Sequence, residues 1–140
     1  MNFCNNTGLR RHEIQKFKPE HVSKDYSHIT VKGKGGKIRQ AYVLPAYRKE
    51  LQELCDRTRS DARPFYKIPH AMNTHSYRSN YATAYYNSIK RDINSIAYNE
   101  RYYCRNELSG IVYDRKAMLI VSKSLGHERI NVIAGHYLRI

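Results

Sequence analysis

The spacing of apolar residues predicts two strands early in the chain. Residues 26–32 and 37–43 alternate between apolar and polar side chains, as half-buried strands do. The intervening Gly33-Lys34-Gly35-Gly36 supplies residues suited to positive φ, so we predict an antiparallel hairpin. A short helix over residues 10–17 comes before it, entered from a turn at Asn5-Asn6-Thr7-Gly8.

Helical spacing replaces alternation from residue 46 onwards. One helix begins there, a loop with two prolines follows over residues 61–74, and a second helix opens at residue 75. The apolar positions of these two helices are Tyr47, Leu51, Leu54 and Cys55 in the first, and Tyr77, Tyr81, Ala84, Tyr85 and Ile89 in the second.

The last third of the chain contains further predicted helices. Residues 91–110 are polar and irregular, with helix expected only at their start. Asp114 is expected to cap a helix with Met118, Val121 and Leu125 on its apolar face, which Gly126 ends. Residues 130–138 form a final short helix. The predicted class is therefore mostly α with a small antiparallel β-hairpin (α+β), in one domain over residues 1–140.

The net charge of the chain limits the kinds of molecule that it is expected to bind. The chain has 25 Lys and Arg against 12 Asp and Glu, a net charge of +13, which favours a polyanion such as nucleic acid. Thirteen tyrosines and no tryptophan suit contacts to phosphates and bases. The carboxylates are scattered, with no D-x-D run, so a Mg²⁺-dependent nuclease is disfavoured.

Two other sequence features exclude further classes. Cys4, Cys55 and Cys104 include no C-x-x-C pair, so we expect reduced thiols rather than a zinc site or a disulfide framework. The longest apolar run, residues 117–121, is too short to span a membrane, and no signal peptide is evident. We expect a soluble cytoplasmic protein without a membrane partner.

Four short segments contain the candidate chemistry. The first is Thr7-Gly8-Leu9-Arg10, and the second is the hairpin turn from Lys32 to Arg39, with four cations in eight residues. The third is His75-Ser76-Tyr77-Arg78, whose spacing places His75 and Arg78 on one helical face. The fourth is Leu125-Gly126-His127, followed by Tyr137. Taken singly, each has an ordinary explanation: a solvated arginine or turn, a helix cap, or a tyrosine in the core.

In this order the four segments resemble the tyrosine recombinases, the phage integrase family, and the resemblance extends from Thr7 to Tyr137. It implies the catalytic core fold of DNA breaking–rejoining enzymes. It also implies cleavage by a tyrosine that forms a 3′-phosphotyrosine and frees a 5′-hydroxyl, without metal or another cofactor. The positions that match the family's catalytic residues are Arg10, Lys34, His75, Arg78, His127 and Tyr137.

The resemblance implies a role for each matched position. Tyr137 is the nucleophile, and Arg10 and Arg78 hold the scissile phosphate. His75 accepts a proton and His127 donates to the phosphate. Lys34 is the general acid for the leaving 5′-oxygen, although Lys32 and Lys37 are close enough in sequence to be confused with it. Flanking DNA contacts are expected from Arg11, Lys32, Lys37 and Arg39.

The chain departs from the family pattern in three places. The step of 49 residues from Arg78 to His127 implies an insertion at about residues 90–113, and the step from His127 to Tyr137 is one residue longer than the commonest spacing. The N-terminal core-binding domain of the family is expected to be absent. The implied partners are double-stranded DNA and other recombinase subunits, as a synaptic tetramer when full-length, in a bacterial or phage setting.

Two alternatives remain from the sequence. The chain could be a catalytically decayed integrase that binds DNA without cutting it. It could also be a nicking-closing enzyme of the type IB topoisomerase kind, which shares the same catalytic residues.

Overall fold

A computed structural model describes residues 2–127 and 129–138, with Lys34 described in its backbone alone. Over these residues the chain is mixed α+β, with six α-helices and two antiparallel hairpins, so the predicted class is confirmed at that level. In chain order the elements are α1 (Asn2–Thr7), α2 (Arg11–Lys16), β1 (His28–Lys32), β2 (Ile38–Tyr42), α3 (Arg48–Asp56), α4 (Thr74–Ile89), β3 (Arg101–Tyr103), β4 (Val112–Asp114), α5 (Arg115–Leu125) and α6 (Ile130–His136).

The β1–β2 hairpin forms where alternation predicts it. Its register pairs His28 with Tyr42 and Lys32 with Ile38, and the Gly33 amide donates to the Lys37 carbonyl at 2.7 Å to close the turn. Gly35 and Gly36 both adopt positive φ there. One face of the hairpin is buried, so its register is fixed by the core.

The predicted turn at residues 5–8 is wrong, because α1 occupies Asn2–Thr7. Phe3, Cys4 and Thr7 are buried, and the Thr7 hydroxyl donates to the Phe3 carbonyl at 2.7 Å. Asparagine favours turns because its side chain competes for backbone hydrogen bonds. Burial of the apolar face overrides that local preference here, and the chain turns only at Gly8.

Helix α4 begins at Thr74, one residue before the predicted start, after the predicted loop. Asn73 caps it by accepting from the Ser76 amide at 3.0 Å. Tyr81 and Tyr85 are buried as expected, whereas Ala84 is exposed and its place in the predicted stripe is wrong. The buried face instead contains Arg78 and Ser79, two polar residues that periodicity of apolar positions cannot identify.

The segment before α5 contains a second hairpin that the sequence pattern does not predict. Strands β3 and β4 pair Tyr102 with Tyr113 in a three-pair register, and only a single 3₁₀ turn, Ile93–Ser95, stands where helix was expected. Strands of three residues are too short to show alternation. The end of the segment is as predicted: Asp114 accepts from the amides of Lys116 and Ala117 and so caps α5.

Two buried clusters form the interior. The first is built from α1, α2, the β1–β2 hairpin and α3, and the second from α4, α5 and α6. They meet at Gly8, where a Cβ would lie 2.5 Å from Tyr81 Cδ1 and 2.9 Å from Leu125 Cδ2. The Thr7–Arg10 turn is therefore wedged between α4 and the end of α5, which positions the site described below.

The described residues bear on two sequence expectations, the absence of a membrane span and the reduced state of the cysteines. None of the described helices has the length and apolar character needed to cross a membrane. Cys4, Cys55 and Cys104 are unbridged, and burial raises the pKa of the Cys4 thiol to about 11.

Candidate active site around Tyr137

A buried guanidinium, that of Arg78, lies at the centre of the site. Its Nε donates to the Gly8 carbonyl at 2.6 Å, its Nη2 to the Leu125 carbonyl at 2.7 Å, and its Nη1 to the Tyr137 hydroxyl at 3.0 Å. Burial lowers the pKa of Arg78 to about 10, which still leaves the side chain cationic at neutral pH. This one cation therefore ties the Thr7–Arg10 turn, the end of α5 and the end of α6 together.

Tyr137 lies in a setting of imidazole rings and positive charge. It follows α6 directly, is 7% exposed, and its ring centroid lies 5.0 Å from that of His75 and 5.1 Å from that of His127. The guanidinium carbon of Arg78 lies 5.3 Å from the same ring. Ser79 fixes the backbone by donating from its hydroxyl to the Tyr137 carbonyl at 2.5 Å. The ten-residue step from His127 thus still brings the tyrosine hydroxyl to Arg78.

His127 lies near several arginine guanidinium groups, and its Nε2 makes no hydrogen bond to the described residues. Gly126 ends α5 in the left-handed conformation, and the His127 amide then donates to the Ser122 carbonyl at 2.9 Å. Burial and the nearby Arg78, Arg10 and Arg39 lower the pKa of His127 to about 4, so the ring is neutral at pH 7. Its Nε2 is buried without a hydrogen-bond partner among the described residues, which is costly unless a ligand atom fills the position.

His75 has one ring nitrogen committed to the protein. It is exposed at the start of α4, and its Nε2 lies 3.1 Å from the His136 carbonyl oxygen. Because a carbonyl oxygen only accepts, Nε2 must carry the proton in this contact, and Nδ1 is left as the acceptor. A neutral His75 of this tautomer can accept a proton on Nδ1.

Arg10 lies on the His127 side of the site. Its backbone amide donates to Glu13 Oε1 at 2.8 Å, and its Nη1 forms an ion pair with Glu13 Oε2 at 3.4 Å. A Cβ built on Gly126 would lie 3.0 Å from Arg10 Nη1, so this guanidinium adjoins the turn that carries His127. The side chain keeps 27% of its surface exposed and can still meet a ligand.

Glu13, whose side chain is fully buried, pairs with Arg39, whose side chain is 12% exposed, and the sequence does not predict this pair. Arg39 donates to Glu13 Oε2 at 2.6 Å and to Oε1 at 2.9 Å, and its Nε donates to the Ser124 carbonyl at 2.9 Å. Burial alone would raise the pKa of Glu13, but the hydrogen bonds from Arg39 and Arg10 outweigh it and lower the pKa to about 2. The i, i+3 spacing of Arg10 and Glu13 was a visible signal for part of this arrangement, whereas nothing in sequence pointed to Ser124.

The four residues predicted to contact flanking DNA have different surroundings. Arg11 donates to the carbonyls of Pro69, His70 and Met72, so its guanidinium holds the loop before α4, and Arg39 is committed to Glu13. Lys32 and Lys37 are exposed on the hairpin. The side chain of Lys34, the predicted general acid, lies outside the described part of the structure.

The resulting charge is strongly positive. Arg10, Arg39 and Arg78 face one carboxylate, that of Glu13, within this small volume. In the described residues no group of three or more His, Cys, Asp or Glu is arranged to hold a metal ion. The arrangement can attract an anion to the neighbourhood of a tyrosine hydroxyl, with two imidazole rings packed against the phenol ring.

Comparisons with protein-family models, with curated proteins and with solved structures found no match to this chain.

Proposed function

We propose that this chain is the catalytic domain of a site-specific DNA recombinase of the tyrosine type, with the DNA breaking–rejoining core fold. In the proposed reaction the Tyr137 oxygen attacks a phosphodiester of duplex DNA. A bond from that oxygen to phosphorus forms as the bond to the 5′-oxygen breaks, which leaves a 3′-phosphotyrosine and a free 5′-hydroxyl. The hydrogen bond of 3.0 Å from Arg78 to the Tyr137 hydroxyl, with His75 and His127 against the same ring, is the observation that carries the proposal.

Charge and an unused ring nitrogen support a phosphate at this position. Arg78 and Arg10 are cations beside the tyrosine, and a pentacoordinate phosphorane carries more negative charge than the diester it comes from. Among the described residues His127 Nε2 is buried at this site without a hydrogen-bond partner, and a phosphate oxygen is the kind of atom that could supply one. Preorganised donors of this sort are worth about 3–4 kcal/mol each in comparable oxyanion sites.

Proton transfer supports the same roles. The phenol must lose a proton as it attacks, and His75 Nδ1 is the available acceptor because Nε2 is bound to the His136 carbonyl. We assign protonation of the leaving 5′-oxygen to Lys34, whose backbone lies in the β1–β2 turn. The phosphodiester energy is kept in the phosphotyrosine, so neither metal nor nucleotide cofactor enters the scheme. The proposed setting is the bacterial cytoplasm, with further recombinase subunits on the DNA.

One observation favours the second candidate, a DNA-binding module that does not cut. Tyr137 is 7% exposed, and Arg78 uses Nε, Nη1 and Nη2 within the protein. In this arrangement the Tyr137 hydroxyl is bonded to Arg78 and the tyrosine is largely enclosed by the protein. A chain that kept this arrangement on DNA would bind through its positive charge and leave the DNA intact.

A nicked suicide duplex separates the two candidates. The nick lets a short fragment diffuse away after cleavage, so a covalent adduct should accumulate on the wild-type chain and be absent from Tyr137→Phe. Tyr66→Phe is the matched control, because this tyrosine is 59% exposed and is not one of the site residues, and it should form adduct normally. Arg78→Lys should slow adduct formation by about 10²–10³-fold through loss of its planar donor geometry.

Each other outcome has a definite meaning. An adduct that maps to a different tyrosine would contradict the assignment of Tyr137, and loss of the adduct in EDTA would contradict metal-free cleavage. Salt-sensitive binding without any adduct would favour the binding module. Relaxation of supercoiled plasmid by a monomer, without preference for sequence, would favour the topoisomerase-like alternative.

A further inference from the structure

A second cationic and aromatic surface lies at the β3–β4 hairpin and shares no residue with the Tyr137 site. It surrounds an open pocket of about 360 Å³. We call it the aromatic–arginine patch and define it by Tyr98, Tyr102, Tyr103, Arg101, Arg105 and Arg115, which line the pocket together with Asn99 and Cys104. No residue of this lining is acidic, so the pocket presents positive charge to whatever enters it.

Two tyrosines of the patch expose their rings to solvent. Tyr98 is 75% exposed and Tyr103 is 43% exposed, although both are large and partly apolar. Their ring centroids lie 5.2 Å apart with 32° between the planes, so the two rings pack against each other in an offset, tilted arrangement. Tyr102, between them in position, is instead half-buried with the guanidinium of Arg115 5.6 Å from its ring.

The arginines of the patch have N–H groups that can donate hydrogen bonds to a ligand. Arg101 donates from Nη1 to the Tyr103 hydroxyl at 3.3 Å and from Nη2 to the Ile96 carbonyl at 3.2 Å, and its buried Nε has no hydrogen-bond partner among the described residues. Arg105 and Arg115 are exposed. The neighbouring carboxylate of Glu100 is bonded to Arg91 at 3.2 Å, Arg91 is also bonded to Asp114, and neither carboxylate lines the pocket. Exposed arginines around a pocket without acidic lining favour an anionic ligand.

We propose that the aromatic–arginine patch binds single-stranded DNA, with unpaired bases stacked on Tyr98 and Tyr103 and the phosphates held by Arg101, Arg105 and Arg115. Exposed aromatic faces combined with cations are the features that single-strand binding surfaces use. A duplex does not offer them a partner, because its bases are already stacked on each other. This site does not depend on cleavage by Tyr137 and shares no residue with that proposal.

Fluorescence anisotropy with a labelled twelve-nucleotide thymidine strand tests the proposal on the whole chain. Tyr98→Ala and Tyr103→Ala should each weaken binding by about 10-fold, the size expected for one lost stacking contact, and Tyr98→Phe should bind as the wild type does. Tyr66→Ala is the matched control: it is 59% exposed with the Lys67 ammonium 5.8 Å from its ring, but it lies outside the patch. It should change affinity by less than about twofold.

Four results would overturn the proposal. The first is an equal loss in Tyr66→Ala, which would mean that any exposed tyrosine contributes. The second is displacement of the labelled strand by a twelve-base-pair duplex as effectively as by unlabelled single strand. The third is equally effective displacement by a poly-glutamate peptide, which would indicate a protein partner. The fourth is sedimentation showing that the wild-type chain dimerises and that Tyr98→Ala does not, which would make the patch a contact between copies.

Discussion

Gly8 shows how a single residue fixes the geometry of the candidate site. It adopts φ +69°, and an added Cβ would lie within 3 Å of Tyr81 and Leu125, two side chains without solvent exposure. Tyr81 cannot yield, since its hydroxyl is bound to the Tyr42 carbonyl and to Ser124. We expect Gly8→Ala to lower the free energy of unfolding by about 3–4 kcal/mol, from backbone strain and overpacking together.

Gly35→Ala is the matched control for that measurement. Gly35 has a similar φ of +75°, but nothing lies within 4 Å of an added Cβ, so the cost should be about 1 kcal/mol from strain alone. Urea unfolding of both variants gives the comparison. Equal losses would mean that Gly8 is required for its backbone conformation and not for its contact with α4 and α5.

The roles of individual arginines were only partly predictable from sequence. Arg78 could be placed because its i, i+3 spacing from His75 requires only that the segment be helical. Arg39 and Arg11 could be recognised as cations of a basic segment, but their partners are a carboxylate 26 residues away and the carbonyls of a distant loop. Such contacts depend on how elements pack, and no local pattern encodes them.

At the scale of elements, the Glu13–Arg39 pair joins α2 to β2, and the bond from Arg39 to Ser124 extends the link to α5. Breaking a buried pair leaves an uncompensated charge, so Glu13→Gln should lower the free energy of unfolding by about 3–5 kcal/mol. The surface pair Arg59–Asp61, with side chains 81% and 62% exposed, is the control, and Asp61→Asn should cost less than about 1 kcal/mol.

The pH dependence of the free energy of unfolding provides a second test of the Glu13–Arg39 pair. Because the folded pKa of Glu13 is about 2 against an ordinary 4.5, the unfolded chain binds the proton first as pH falls. This contribution is complete above pH 4.5 and is lost between 4.5 and 2, by a total of about 3 kcal/mol. Glu13→Gln should show a correspondingly flatter decline over that range. An unchanged slope would mean that Glu13 is not ion-paired in solution.

Elements with strong local signals were predictable, and those formed by packing were not. Alternation and a glycine turn identify β1 and β2, and Asp114 and Gly126 mark the two ends of α5. Helix α1 and the β3–β4 hairpin have no such signals: one is six residues long and asparagine-rich, and the other has three-residue strands. Their stability comes from tertiary contacts, such as those of Phe3 with Phe17 and of Tyr86 with Tyr113.

For the whole molecule, some of the cations behind the net charge of +13 are bonded to other residues of the protein, and others are exposed to solvent. Arg39 and Arg78 are bound within the protein and hold α2, β2, α4 and α5 at the site. Lys32, by contrast, lies exposed on the hairpin. Total charge therefore overstates the number of phosphates that the chain can neutralise, and the salt dependence of duplex binding should reveal the smaller number.

Lys32→Gln tests that division. Each lysine that contacts a phosphate releases bound counterions, so the slope of log affinity against log salt concentration should become shallower by about 0.9 in this variant. Lys49→Gln has the same net charge and alters an exposed lysine of α3, and its slope should match the wild type. Anisotropy titrations of a labelled duplex between about 50 and 300 mM salt measure both. If the two variants shift the slope equally, the chain binds through diffuse charge, and the hairpin has no particular position on DNA.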